Sequence, residues 1–221
     1  MKLTVVAATG GIGRLLCAQA TAAGHDVTAV VRDPAARPHA ATTVVADLAT
    51  DSGAALATAV AGADAVLSAL GPRSTADAGI VSRGTRAVVA AMRGAGAARL
   101  VVVSASPVGT VASPAQPRPP RHDLGDGIVM RTVLTPVVKR VLAAVYADLA
   151  EMEDVLRGSG LDWTAVRPPR LTNGPYTGTY RTALDRNVRR GLTISRADVA
   201  AAMLTAAADP STVGHTLGLA S

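Results

Sequence analysis

The chain predicts an α/β domain of the doubly wound kind, a parallel sheet with helices on both faces, and three observations carry that reading. Short apolar, β-branched runs alternate with amphipathic helical stretches from the first residues almost to the last. The first run passes through a glycine-rich turn directly into a helix. The 221 residues contain no internal repeat and no linker, so residues 1–221 are expected to form one domain. Phenylalanine is absent and aromatics make up 2% of the chain, so the core must be built from Val, Leu, Ile and Ala.

Leu3–Ala7 reads as a buried first strand, and Ala8-Thr-Gly-Gly-Ile-Gly13 as the turn after it. The helix that follows places Ile12, Leu15, Leu16, Gln19, Ala20 and Ala23 on one face and stops at Gly24. Strand, glycine turn and helix together form a dinucleotide-phosphate site. Glycines let the backbone approach a pyrophosphate, and the free N–H groups at the helix start hold its charge.

Asp26–Val31 is the second strand, ending in Arg32-Asp33-Pro34, with Arg37 close behind. A residue at this strand end meets the adenosine ribose: an acid accepts from a 2′-hydroxyl, and an arginine accommodates a 2′-phosphate. The arginines favour NADP, and Asp33 leaves NAD open. Thr42–Ala46 is a third strand, running into Asp47 and Leu48. A helix is expected from about Ser52 to Ala61, and a fourth strand over Ala63–Ser68, followed by Leu70-Gly71-Pro72-Arg73. The long helix from Asp77 to about Gly94 carries Ile80, Val81, Val88, Val89 and Met92 on its apolar side. Arg99–Ser104 is the fifth strand and delivers Ser104 and Ser106 to the sheet edge.

Prolines 107, 114, 117, 119 and 120 then break the rhythm, so 107–122 is expected to lie over the surface near the site without regular structure. A helical tract from Asp126, interrupted near Pro136, runs to Gly158, with Val138, Leu142, Val145, Leu149, Met152 and Leu156 on one side of its second part. Leu161–Val166 is the sixth strand, followed by Arg167–Leu171 and a Gly/Tyr/Thr loop. Ser195-Arg-Ala-Asp198 opens a helix to about Ala207 in the manner of a capping box, and His215–Leu219 closes the sheet. The substrate site is expected between the 105–125 and 167–190 loops.

The net charge of +6 is scattered over Arg118, Arg121, Arg181, Arg186, Arg189, Arg190 and Arg196 rather than concentrated on a helix. With few aromatics to stack bases and no reading motif, nucleic acid is not an expected partner; an anionic cofactor or small substrate accounts for the excess. One cysteine, Cys17, rules out an internal disulfide and fits a reducing compartment. No apolar run reaches transmembrane length, and Met1-Lys2 with its short apolar run reads as a strand rather than a leader, so no membrane partner and a cytoplasmic location are expected. His25, His39, His122 and His215 lack ligand spacing, and no metal site is predicted. The oligomeric state is not set by these features.

Taken in order, several segments resemble the small, atypical short-chain dehydrogenase/reductase-like NAD(P)H-binding proteins, of the biliverdin IXβ reductase (flavin reductase) type and their NmrA-like relatives. The resemblance rests on Ala7-Ala-Thr-Gly-Gly-Ile-Gly13, Val31-Arg-Asp33, Leu70-Gly-x-Arg73, Ser159–Pro169, Leu171–Tyr180 and Ile194–Val199, and covers nearly the whole chain. It implies a Rossmann-like fold in which Ala7, Thr9, Gly10, Gly11, Ile12 and Gly13 hold the pyrophosphate of NADPH and Arg32 its 2′-phosphate. Asp47 and Leu48 would flank the adenine, and Leu70, Gly71 and Arg73 would line the path to the nicotinamide. Ser104, Ser106 and the Pro168-Pro169-Arg170 turn would surround the nicotinamide and a small-molecule acceptor. The implied reaction moves hydride to a conjugated acceptor such as a flavin, a quinone or a linear tetrapyrrole.

Four positions depart from the family pattern. Ala7 replaces its first glycine. The Tyr-x-x-x-Lys pair that supplies a proton in alcohol dehydrogenases is broken, since Tyr146 is followed four residues later by Ala150, which disfavours alcohol–ketone chemistry. Ala105 stands where the reductases place a serine, between Ser104 and Ser106, and Arg170 stands where they place a histidine. Arginine is no general acid at neutral pH, but it binds an anionic acceptor. The second function these departures allow is an NmrA-like regulator that binds NAD(P) without turnover. A sugar-nucleotide-modifying relative would need a longer chain.

Overall fold

A computed structural model describes residues 1–48, 53–72, 77, 79–123, 125 and 142–221. The alternating strands and helices form an eight-stranded sheet: β1 (Lys2–Val6), β2 (Asp26–Val31), β3 (Thr42–Val45), β4 (Ala65–Ser68), β5 (Arg99–Val103), β6 (Asp162–Arg167), β8 (Arg181–Leu184) and β10 (His215–Ala220). Its spatial order is β3-β2-β1-β4-β5-β6-β10-β8. Every neighbouring pair is parallel except β10–β8, which is antiparallel and forms one edge. The order reverses between β1 and β4, which in sheets of this kind marks the place for a ligand crevice beyond the carboxyl ends of the strands.

Helices cover both faces, as the doubly wound layout requires. Helix α1 (Gly11–Ala22) and helix α5 (Arg196–Ala208) share one core with Leu3, Val5, Val27, Val31, Leu67, Val101 and Val166. On the other face, α2 (Gly53–Val60), α3 (Ile80–Ala95) and α4 (Ala143–Arg157) pack on Val6, Val30, Val66, Leu100, Val102 and Ala165. The alternation of these residues along each strand is the period-two pattern of a sheet buried on both sides. Tyr146 packs in the second core and is 8% exposed, with its hydroxyl pKa raised by burial.

Several boundaries differ from the sequence expectation, each for a local reason. The face of α1 turns slightly, so Cys17 is buried while Ala23 is exposed. Burial pushes the Cys17 thiol up to about 11, which leaves it unreactive. Helix α3 begins at Ile80 rather than Asp77, with Gly79 before it in a left-handed conformation that the helix cannot include. Its first N–H groups are capped from another helix: Asp148 on α4 accepts from Val81 N at 3.0 Å and Ser82 N at 2.9 Å. Within the proline-rich stretch, Ser106–Thr110 forms a 3₁₀ turn. The Gly/Tyr/Thr loop expected over 173–181 is flanked by short strands the sequence does not announce: β7 (Arg170–Thr172) and β9 (Thr193–Ser195) pair in parallel as a small second sheet, and the edge strand β8 begins at Arg181. The expected helix start at Ser52, Arg73, and the helical tract from Asp126, with its Pro136 interruption and Val138, lie outside the described residues.

A buried charge cluster joins α4 to the sheet. Glu153, 1% exposed, accepts from Arg167 Nε at 2.8 Å, from a second Arg167 nitrogen, from Arg157 Nη2 at 2.9 Å and from Ser104 Oγ at 2.7 Å. Burial works against the charge of Arg167, but the Glu153 carboxylate outweighs it and holds the guanidinium pKa above its ordinary value. Removing one partner of such a cluster strands the other charge in the interior. Glu153→Ala is therefore expected to cost about 3–5 kcal/mol and to lower the melting temperature by on the order of 10 °C, read by thermal denaturation.

Candidate functional site

The site starts at the turn between β1 and α1. Ala7 has φ of 57°, the left-handed conformation that the family's glycine would adopt without strain. Its carbonyl turns inward and accepts from Gly10 N at 3.0 Å. A Cβ at Gly13 would lie 2.2 Å from that same carbonyl oxygen, so only glycine lets α1 seat this closely on the end of β1. The N-terminus of α1 thus meets the crevice with no acidic residue in its first turn. Thr9, Gly10 and Gly11 line the approach and are at least partly exposed, while Ile12 is buried and serves the core. Such a cradle suits a diphosphate.

At the end of β2, a cavity of about 470 Å³ is lined by Thr9, Arg14, Arg32, Asp33, Ala36, Arg37 and Pro38. Three arginines therefore border one opening beside the glycine turn, with Arg37 held by its Nη1, which donates to the Pro34 carbonyl at 2.8 Å and the Ala36 carbonyl at 2.9 Å. Asp33 is committed to its own loop, accepting from Ala35 N at 2.8 Å through Oδ1. Arg14 was not singled out from sequence. Its signal is its place one residue after the last glycine, on the first exposed turn of α1.

Asp47 and Leu48 follow β3, and Leu70 follows β4. Leu48 and Leu70 meet over Gly84 of α3, where a Cβ would lie 2.5 Å from Leu70 and 3.4 Å from Leu48. That glycine makes the notch in which both leucines sit, which their separation in sequence does not reveal. Gly71 is exposed at the same edge.

Of the residues expected around the acceptor, both serines are buried and Arg170 is exposed. Ser104 is 4% exposed and spends its hydroxyl on Glu153. Ser106 is 7% exposed and donates to the Arg167 carbonyl at 3.3 Å. Both hydroxyls point into the protein, the first because a buried carboxylate claims it and the second because β5 bonds across to the chain after β6. Pro168 is buried, Pro169 is half-buried, and Arg170 is exposed on β7. The 105–125 and 167–190 loops do meet, around a second cavity of about 530 Å³ lined by Gly109, Gln116, His122, Asp123, Trp163, Arg167 and Asp185 among others. Neither serine nor Arg170 lines it. Among the described residues, no group of His, Cys, Asp and Glu stands in a metal-binding arrangement, and no helix is long and apolar enough to cross a membrane.

The segment from Asn173 to Tyr180 is held by the start of α5. Ser195 caps that helix, accepting from Asp198 N at 2.9 Å. The reciprocal arm of a capping box is missing, because Asp198 turns to the loop instead. It accepts from Thr177 N at 2.9 Å, Thr177 Oγ1 at 3.0 Å and Gly178 N at 3.1 Å, and from Ser195 Oγ at 2.8 Å. Burial alone would raise its pKa, but these donors outweigh burial and lower it. Tyr176 stands at the loop's tip, 61% exposed. Beside the loop, Arg196 lies against Gly11 and donates to Asn173 Oδ1 at 2.6 Å.

A parallel sheet reversing at β1/β4, a glycine cradle at that reversal and a cationic cavity at the end of β2 together define a dinucleotide-binding protein. A family model described as NAD(P)H-binding matches residues 7–210, and the chain belongs to that family. Solved structures agree over the full length. A Burkholderia pseudomallei protein provisionally described as exported is 28% identical, with all of both chains covered and a TM-score of 0.74. A Streptococcus pneumoniae protein provisionally described as an NADH-flavin reductase is 23% identical, covering 100% of this chain and 99% of that one, with a TM-score of 0.75. A Veillonella parvula short-chain dehydrogenase/reductase in complex with NADP is 18% identical, covering 100% of this chain and 94% of that one, also with a TM-score of 0.75. These last two share the fold.

Two outcomes follow from the geometry. Ala7→Gly relieves a left-handed alanine and is expected to stabilise the protein by about 1 kcal/mol, raising the melting temperature by about 2–4 °C. An affinity titration of the same variant shows whether the Ala7 methyl group also hinders the cofactor, in which case NADPH binds more tightly.

Asp198→Asn is expected to speed amide exchange at Thr177 and Gly178. Because the folded-state pKa is depressed, the carboxylate's contribution is fully present above its unfolded value of about 3.9 and is lost as pH falls through the folded value. The gap in stability between wild type and Asp198→Asn should therefore close in acid, as read by urea denaturation at stepped pH.

Proposed function

We propose that the protein is an NADPH-dependent reductase that passes hydride to a conjugated small-molecule acceptor such as a flavin, a quinone or a linear tetrapyrrole. The observation that carries the choice of NADPH is the cavity at the end of β2, which Arg14, Arg32 and Arg37 line beside the glycine turn. A 2′-phosphate suits a cavity bordered by three arginines, and this excess of cations over the single Asp33 carboxylate favours it over a bare 2′-hydroxyl. The cofactor supplies the hydride. Thr9 to Gly13 would hold its diphosphate, Arg32 and its neighbours the 2′-phosphate, and Leu48 and Leu70 the apolar surface beside the adenosine.

What remains for the protein is alignment and exclusion of water. With Ser104 and Ser106 turned inward and Tyr146 buried in the core, these groups offer the crevice no hydroxyl proton donor. This favours an acceptor that takes hydride into an extended π-system and draws its proton from solvent. A protein sharing the fold is described as an NADH-flavin reductase, which supports the same class. The exposed guanidinium of Arg170 suits an anionic group on such an acceptor.

The same inward serines favour the second reading, an NmrA-like sensor that binds the cofactor without turnover. Steady-state oxidation of NADPH with a panel of flavins, quinones and tetrapyrroles separates the two. Tight binding with no oxidation above background would end the reductase reading. For the cofactor itself, Arg32→Ala with Arg37→Ala is expected to weaken NADPH by about a hundredfold while changing NADH by less than about threefold, read by fluorescence titration.

A further inference from the structure

Two helices begin side by side at the glycine turn, and one side chain joins them. Gly11 is the first residue of α1, and Arg196 is the first residue of α5. A Cβ on Gly11 would lie 3.0 Å from Arg196 Cδ and 3.1 Å from its Nε, so the arginine runs directly over the exposed backbone of the turn. Its far end donates from Nη1 to Asn173 Oδ1 at 2.6 Å, at the start of the 173–180 loop. Two residues along the same helix, Asp198 holds Thr177 and Gly178. One turn of α5 therefore grips the loop at two points while touching the cofactor cradle.

The position is electrostatically odd for a purely structural arginine. Helix N-termini carry partial positive charge, so a cation at the start of one helix and against the start of another is disfavoured unless an anion joins it. Among the described residues, no carboxylate stands within salt-bridge distance of Arg196. The neutral amide oxygen of Asn173 uses one donor of a group that has five.

Resting on the dinucleotide reading of the glycine turn, we infer that Arg196 is a positioning residue that binds the cofactor's diphosphate while holding Asn173, so that cofactor binding orders the 173–180 loop for the acceptor. A diphosphate is a stronger partner for a guanidinium than an amide is, and the planar fork can serve both at once. The acceptor loop then becomes sensitive to whether the cofactor is present, without a separate sensor.

Hydrogen exchange of the 173–180 segment, with and without saturating NADPH, tests this alongside fluorescence titration of NADPH. In the wild type, NADPH should slow exchange of the segment several-fold. Arg196→Gln should weaken NADPH by about tenfold and abolish the slowing even at saturation. Arg196→Lys, which keeps the charge, should recover most of the affinity. Asn173→Ala should bind NADPH within about threefold of wild type yet lose the slowing, and it decides the matter if Arg196→Gln does not fold.

A wild type that binds NADPH with unchanged loop exchange overturns the link and leaves the cofactor reading intact. The same holds if Arg196→Gln keeps both wild-type affinity and the slowing, or if Arg196→Lys recovers no affinity. A wild type that binds no NADPH overturns both.

Discussion

The contact on which this structure depends most is the approach of the α1 backbone to the Ala7 carbonyl. It can form only because position 13 lacks a Cβ, which would otherwise overlap that oxygen at 2.2 Å. Once made, it fixes the angle at which α1 leaves β1, points the helix N-terminus at the sheet's reversal and holds Ala7 in a left-handed conformation. The neighbouring pieces of the site inherit their positions from it. Thr9 reaches the cavity at the end of β2, Gly11 lies bare for Arg196, and α5 packs along α1 through Gln19, which donates to the Ala197 carbonyl at 2.9 Å. A local strain is thus tolerated for a long-range alignment, a bargain typical of functional turns.

On the opposite face the organising group is Glu153. It lies at the centre of α4, β5 and β6, and its four donors include a serine that sequence position alone would assign to catalysis. A buried carboxylate must be satisfied by whatever donors surround it, and here that requirement turns the end of β5 inward. The consequence is chemical. The arginine-lined cavity at the end of β2 stays open, while the Ser104 and Ser106 hydroxyls serve the fold.

This division explains what the sequence makes legible. The parallel core strands, the helices between them and the glycine turn are local signals: β-branched runs, 3.6-residue spacing and backbone demands met by glycine. Each appears within a few residues of the predicted place. The two-stranded β7–β9 sheet and the edge strand β8 do not, because they are only three or four residues long and two of them pair across some twenty residues of chain. Asp148 capping α3 from α4 is invisible for the same reason: the cap and the N–H groups it serves lie 66 and 67 residues apart. Ser104 is the sharpest case. Its place after the fifth strand is read correctly, but its direction is set by Glu153, 49 residues away.

Arg196 shows the converse. In the sequence it is one of several scattered arginines beside a capping motif, and its surroundings give no hint of a partner. Folding brings together the starts of α1 and α5, which lie more than half the chain apart, and leaves the guanidinium between a phosphate cradle and a loop carrying the exposed Tyr176. Asp198, from the same helical turn, already commits its carboxylate to that loop. The first turn of α5 therefore divides its charges, the anion holding the loop and the cation facing the cradle. In the role inferred for Arg196, that division lets the charge of a bound cofactor bias the 173–180 loop without any acid–base residue.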